Sequence, residues 1–214
     1  TYLAVIWFAY SVLQLFNPEA LSRTAWFYAM RGISLYMLLL VPLSFMIFNR
    51  LRFLYLFLYL WGIFSILGTL KGLQQLYIGP DSAEQFWLDT VGGITHILFG
   101  ELRVFSFFSD AGQFGAAQGA AGIVGFLVAL NIKGLHNKIF FLVMGVMGLW
   151  GMMISGTRGA MIVPMVAGIT YIVHRKNFRV IIIGGFILAF VYVFFAYTYI
   201  GQSNSQIRRM RTAF

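Results

Sequence analysis

The sequence predicts an all-α, polytopic membrane protein of about seven transmembrane helices, with an interfacial or re-entrant segment on one side. Three observations carry that reading. Of the 214 residues, 60% are hydrophobic and only 10% are charged, against about 25% charged in a soluble domain. Nearly uncharged runs occupy 1–16, 32–49, 53–70, 111–132, 139–157, 159–174 and 180–200, and about 20 apolar residues cross the hydrocarbon. None of the runs alternates as a barrel strand would. Lipid leaves the backbone no partners outside a helix or a closed barrel.

Taken in order, the first run opens at Thr1 among apolar residues and is expected to be cut at its start. The chain reads as a fragment of a longer protein, with residues 1–200 a transmembrane bundle and 201–214 the start of a periplasmic loop. No cleavable leader is visible. Alternate short connections then set the orientation. "NRLR" (49–52), "NIKGLHNK" (131–138) and "HRKNFR" (174–179) carry Arg50, Arg52, Lys133, Lys138, Arg175, Lys176 and Arg179 and no acid. Cations in short loops mark the cytoplasmic side. Glu19, Asp81, Glu84, Asp89, Glu101 and Asp110 all fall opposite. The 17–31 loop, the 71–111 segment and the tail from Gly201 therefore face out of the cell or into the periplasm.

The net charge of +9 is scattered between apolar runs and forms no basic stripe. It fits membrane topology and anionic lipid, and nucleic acid is not an expected partner. Without cysteine there is no disulfide framework, no thiolate nucleophile and no cysteine metal site. No H-x-x-x-H spacing argues for a protease or hydrolase either, and no cofactor is expected.

The 71–111 segment is too long for a turn and too apolar for a solvated loop. "PDSAEQFWLD" opens it with a Pro80–Asp81 turn and a Ser82-x-x-Gln85 capping box, a start signal for a helix. Phe86 and Trp87 beside Glu84 and Asp89 suit a helix lying in the interface. "THILFGELRVFSFFSD" then sets His96, Glu101, Arg103 and Ser106 among aromatics. Two readings stay open: an interfacial helix with Glu101 and Arg103 snorkelling, or a re-entrant segment holding Arg103 over a cavity at membrane depth. Gly112, Gly115, Gly119 and Gly122 follow on one helical face, which suits close helix packing in lipid. No Lys-Ser/Thr follows them, so they are not a phosphate loop.

"LWGMMISGTRGAMIVPMVAG" (149–168) is broken by a single charge, Arg158. Counting about 20 residues back from His174 places Arg158 roughly a turn inside the outer boundary. Snorkelling is one account. The other is an anion site, with Ser155, Gly156 and Gly159 leaving room for a phosphate that Arg grips through two parallel hydrogen bonds; Pro164 weakens the helix shortly beyond. The tail "QSNSQIRRMRTAF" adds Arg208, Arg209 and Arg211 on the same side, either for lipid headgroups or for the same anion. No carboxylate pair or Ser-His-Asp order argues for a hydrolase. His136 and His174 fall in cytoplasmic loops, which leaves His96 as an outward candidate base or a structural histidine.

"RVFSFFSDAGQFGA" (103–116) and "SGTRGAMIVPMVAG" (155–168) resemble stretches of the bacterial O-antigen ligase and polymerase superfamily. "IGQSNSQIRRMRTAF" is similar to the start of that family's large periplasmic loop, in a form associated with Bacteroidetes-type members. The resemblance spans roughly residues 70–214. It implies a metal-independent membrane glycosyltransferase of polysaccharide or lipopolysaccharide biosynthesis. Such an enzyme moves a glycan from an undecaprenyl-pyrophosphate donor to lipid A core, another glycan or a protein hydroxyl at the periplasmic face. By the same resemblance Arg103 and Arg158 would bind the donor pyrophosphate, with Arg208, Arg209 and Arg211 as further candidates. The family's histidine base lies in a loop that would begin near Gly201 and has no counterpart here, so His96 is the visible catalytic candidate. A polyprenol-phosphate transporter and a non-catalytic membrane subunit are the rival readings.

Overall fold

In chain order the helices are α1 (Tyr2–Leu13), α2 (Arg23–Met30), α3 (Tyr36–Ile47), α4 (Leu51–Tyr77), α5 (Ser82–Trp87) and α6 (Gly93–His96). A two-stranded hairpin follows, β1 (Ile97–Leu98) and β2 (Glu101–Leu102), and then α7 (Ala111–Asn131), α8 (Leu135–Ile154), α9 (Ile162–Arg175), α10 (Phe178–Tyr197) and α11 (Ser205–Arg211). The computed structural model describes residues 2–19, 22–98, 100–198 and 205–211. Residues 201–204 and 212–214 of the expected periplasmic loop lie outside the described residues.

Each apolar run of the sequence becomes helix, and the architecture is all-α apart from the hairpin. Four helices are long and apolar enough to cross a membrane: Arg23–Ile47, Leu51–Tyr77, Ala111–Asn131 and Leu135–Ile154. The first joins α2 to α3 through a π turn at Arg31–Leu35. The run at 159–174 falls short because it starts as a 3-10 turn, Arg158–Met161, leaving 14 residues for α9. Pro164 sits in the first turn of α9, where its missing N–H has no intrahelical partner to lose.

The chain forms two compact units, Thr1–Tyr59 and Leu60–Phe214. In the first, the Ser22 hydroxyl accepts from the Ala25 N–H and caps α2. The Trp26 indole donates to the Ser11 carbonyl at 2.8 Å.

The second unit is centred on the antiparallel pair α7 and α8. Of the four glycines read as one packing face, Gly115, Gly119 and Gly122 lie against Ser155, Met152 and Leu149 of the neighbouring segment, whereas Gly112 lies first against the Asp110 cap of its own helix, and further glycines bring the backbones together. A Cβ on Gly125 would lie 2.6 Å from the Gly145 nitrogen, and one on Gly148 would lie 2.5 Å from the Gly122 nitrogen. Backbone against backbone is the closest approach two helices can make, and in lipid such packing replaces the missing hydrophobic drive. A buried polar tie joins α4 to this pair. Ser65 Oγ donates to Gln118 Oε1 at 2.7 Å, Gln118 Nε2 donates to the Ser65 carbonyl at 3.1 Å, and Thr69 Oγ1 donates to the Met147 carbonyl at 3.0 Å. Every polar group there finds a partner, as apolar surroundings demand.

α4 runs past residue 70 to Tyr77 because Lys71 is neutralised where it sits. Its Nζ lies 2.9 Å from both Asp81 Oδ2 and Glu84 Oε1. The start of α5 is one residue from the expected place. Asp81, not Ser82, is the N-cap, accepting from the N–H groups of Ala83 and Glu84, while the Glu84 carboxylate accepts from the Asp81 N–H. An ionised acceptor makes the stronger cap, and Asp with Glu three residues on outcompetes Ser with Gln. The Glu84 N–H, and after it the Lys71 ammonium, hold the Asp81 carboxyl below its ordinary value.

Beyond α5 the segment divides in character. Phe86, Val91 and Ile94 are exposed, whereas Val104, Phe105 and Ser106 are buried. Ser106 Oγ donates to the Gly68 carbonyl at 2.6 Å, two to three turns before the end of α4. Gln75 Oε1 accepts from the Ser106 N–H at 2.8 Å. The stretch 104–106 thus returns into the bundle instead of lying along its surface.

Candidate functional site

Three segments distant in sequence meet at the end of the bundle formed by the start of α7, the end of α8 and the start of α9. The opposite end carries the cationic connections, where Arg175 Nη2 donates to Asn131 Oδ1.

The first segment is the β1–β2 hairpin. Gly100 turns it at a φ of +78°, left-handed backbone that a side chain would strain, and Ile97 pairs with Leu102 while Leu98 pairs with Glu101. The Arg103 N–H continues the pairing by donating to the His96 carbonyl at 2.7 Å. The Arg103 guanidinium is half-buried and reaches in two directions. Nη1 donates to the Thr95 carbonyl at 3.3 Å and Nη2 to Thr157 Oγ1 at 3.3 Å.

Thr157 belongs to the second segment, the turn between α8 and Arg158–Met161. Its hydroxyl accepts from Arg103 and donates to the Ala111 carbonyl at 3.1 Å, so one side chain ties the hairpin, α7 and the turn together. Arg158 follows directly. Its side chain is exposed, and among the described residues it makes no ion pair or hydrogen bond. Of the three small residues expected to give an anion room, only Gly159 has open space around it. Ser155 is fully buried and donates to the Met152 carbonyl at 2.7 Å. Gly156, at a φ of +59°, is covered by Gln206 and the Arg209 side chain.

That cover is the third segment, α11. Met210 is fully buried against Met152, Ala160, Met161 and Phe195, which seats the helix on the bundle. The three arginines at 208, 209 and 211 then point different ways, as a turn of about 100° per residue requires. Arg209 Nη2 donates to the Leu98 carbonyl at 2.7 Å and lies 3.9 Å from Glu101 Oε2. Arg211 Nη2 donates to Thr198 Oγ1 at 3.2 Å, with its guanidinium 5.7 Å from the Phe194 ring, so it serves α10. Arg208 is exposed. The structure therefore brings Arg103, the Thr157–Arg158 turn and Arg209 around one hairpin, and turns Arg211 away from it.

His96 is only 3% exposed, ringed by Trp87 and Phe105 with ring centroids at 4.9 and 5.1 Å. Its Nδ1 lies 2.7 Å from Thr95 Oγ1 and 3.0 Å from the Gly92 carbonyl. A proton on Nδ1 satisfies that carbonyl and leaves the Nε2 lone pair, which is buried with no hydrogen-bond partner among the described residues.

A cleft of about 280 Å³ opens beside the hairpin, lined by Gln75, Leu76, Glu101, Leu102 and Gln206. It lies next to Arg209, and neither Arg103 nor Arg158 lines it. Among the described residues no group of three or more His, Cys, Asp or Glu side chains is placed to hold a metal ion. Sequence reasoning assigned no part in the site to Thr95, Thr157 or the residues lining the cleft, Glu101 among them. Thr157 had one readable signal, its place just before the lone charge of an apolar run.

Compared with protein families, curated proteins and solved structures, the chain matches none.

Proposed function

We propose that this chain is a membrane glycosyltransferase of the O-antigen ligase and polymerase kind. In this reading it moves a glycan from undecaprenyl pyrophosphate to a hydroxyl on lipid A core, a glycan or a protein. About seven helices cross a bacterial inner membrane, and the arginine-lined end faces the periplasm. The motifs at 103–116 and 155–168 and the cation bias of the short connections support the assignment.

One observation carries it. Arg103 donates to Thr157, the residue before Arg158, and Arg158 itself is exposed with no acidic partner among the described residues. An arginine at the edge of an apolar bundle without a counter-ion marks a site for an anion. A pyrophosphate suits it, because guanidinium offers two parallel hydrogen bonds to phosphate oxygens. Arg103 and Arg158 neutralise the charge that develops on the leaving group as the glycosidic bond to phosphate breaks, the larger part of catalysis in such a transfer. Arg209 holds the hairpin, and Arg208 adds positive potential for the lipid donor. The Thr95–His96 pair positions Arg103 through its carbonyls.

The test is to reconstitute the chain in proteoliposomes with radiolabelled undecaprenyl-pyrophosphate glycan and a hydroxyl acceptor. Label moving to the acceptor supports the reading. Label crossing the bilayer still attached to its lipid makes the protein a transporter, and neither event makes it a binding subunit.

A further inference from the structure

We propose that the cleft beside the hairpin is the acceptor subsite of this transferase and that the Glu101 carboxylate takes the acceptor's proton. The proposal rests on the glycosyl-transfer reading, which leaves a base for the acceptor hydroxyl to be found.

The carboxylates of Leu60–Phe214 can be sorted by what they already hold. Asp81 accepts from two backbone N–H groups and pairs with Lys71. Glu84 accepts from the Asp81 N–H and from Gln75 Nε2, and pairs with Lys71. Asp89 accepts from Gln85 Nε2 at 2.8 Å. Asp110 caps α7 through the N–H groups of Gly112 and Gln113. Glu101 alone accepts no hydrogen bond among the described residues. Its side chain is 46% exposed, and Arg209 at 3.9 Å lies beyond hydrogen-bond distance. Both carboxylate oxygens keep lone pairs for a ligand.

Glu101 also lines the cleft, with Leu76 and Leu102 as an apolar wall and Gln75 and Gln206 beside them; the Gln75 amide is spent on Glu84, Phe105 and Ser106. At about 280 Å³ the cleft is at the small end of ligand sites, room for one sugar-sized unit. Leucines for the C–H faces of a ring and a carboxylate that accepts no hydrogen bond among the described residues, for one O–H, suit a hydroxyl-bearing acceptor. Two residues along extended chain, Glu101 and Arg103 have Cα atoms about 7 Å apart. Base and leaving-group clamp are thereby held on the same short stretch. His96 does not line the cleft, and Trp87 and Phe105 enclose its ring.

The step balances as follows. A Glu101 oxygen takes the proton of the acceptor hydroxyl, whose oxygen lone pair forms the new bond to the anomeric carbon. The bond from that carbon to the phosphate oxygen breaks, and its electron pair leaves on undecaprenyl pyrophosphate beside the arginines. Protonated Glu101 then returns its proton to water.

The experiment uses the chain in proteoliposomes with radiolabelled undecaprenyl-pyrophosphate glycan as donor, and lipid A core, free glycan and a serine peptide as acceptors. No transfer by the parent chain to any acceptor overturns the transferase reading and this proposal with it. Where the parent transfers, Glu101→Gln is expected to lose at least about 100-fold in kcat with donor binding unchanged. Glu101→Ala is expected to regain part of the rate when formate is supplied as a substitute carboxylate. Parent-like kcat in Glu101→Gln, an equal loss of donor binding, or no response of Glu101→Ala to formate overturns the assignment of Glu101 and leaves the transferase reading standing.

Discussion

Arg103 and Thr157, 54 positions apart, share a hydrogen bond of 3.3 Å from Nη2 to Oγ1, and through it the hairpin is fixed to the turn that presents Arg158. The second hydrogen bond of the same guanidinium, to the Thr95 carbonyl, leaves the plane of the fork fully determined. Lysine keeps the charge but has no planar fork and cannot hold both anchors in that geometry. Arg103→Lys is therefore expected to lose glycan transfer nearly as severely as Arg103→Ala, measured as initial rate with labelled donor. A lysine variant with near-normal rate would leave only a diffuse charge role for this position.

The glycines of the bundle differ sharply in what they tolerate. A Cβ at Gly125 meets the Gly145 nitrogen at 2.6 Å and the Phe141 carbonyl oxygen at 2.8 Å, neither of which is a movable side-chain tip. Gly125→Ala is expected to lower thermal stability by about 1–3 kcal/mol, the usual cost of overpacking. At Gly159 a Cβ meets nothing within 4 Å, so Gly159→Ala is expected to be neutral or slightly stabilising through helix propensity. Melting curves in detergent, read by circular dichroism, check both.

Orientation is testable independently of any chemistry. Reporter fusions after Arg52, Lys138 and Arg179 are expected to read cytoplasmic, and one at Asp89 periplasmic. A periplasmic signal after Lys138 would place the arginine end in the cytoplasm, away from any periplasmic acceptor.

Much of the architecture was legible because hydropathy reports directly on burial in lipid. The ends of α7 and α8 fall within a few residues of their apolar runs, and the spacing of the glycines gave their packing face. What escaped the sequence was decided by contacts between distant positions. Lys71 would end an apolar run by its charge, yet two acids from a later turn neutralise it and α4 continues. The hairpin turns through the left-handed Gly100 in a stretch otherwise read as helix. At the site, Arg103 and Arg158 could be named from their isolation among apolar residues. Which of Arg208, Arg209 and Arg211 turns toward the hairpin depends on how α11 seats Met210 in the core, and no local pattern encodes that. Glu101 was visible only as a residue apt to snorkel. That it accepts no hydrogen bond among the described residues emerges once every other carboxylate of its unit is accounted for.

The account's central claim is that a guanidinium at position 158 stabilises a departing pyrophosphate. The most direct measurement is the initial rate of transfer from radiolabelled undecaprenyl-pyrophosphate glycan by Arg158→Ala and by the parent chain, reconstituted at equal protein with matched melting temperatures. The predicted result is a loss of at least about 100-fold, the scale on which removing one preorganised electrostatic group acts, with folding and membrane insertion intact. Transfer by Arg158→Ala at the parent's rate would contradict the claim and leave Arg158 as a residue that snorkels to the headgroups.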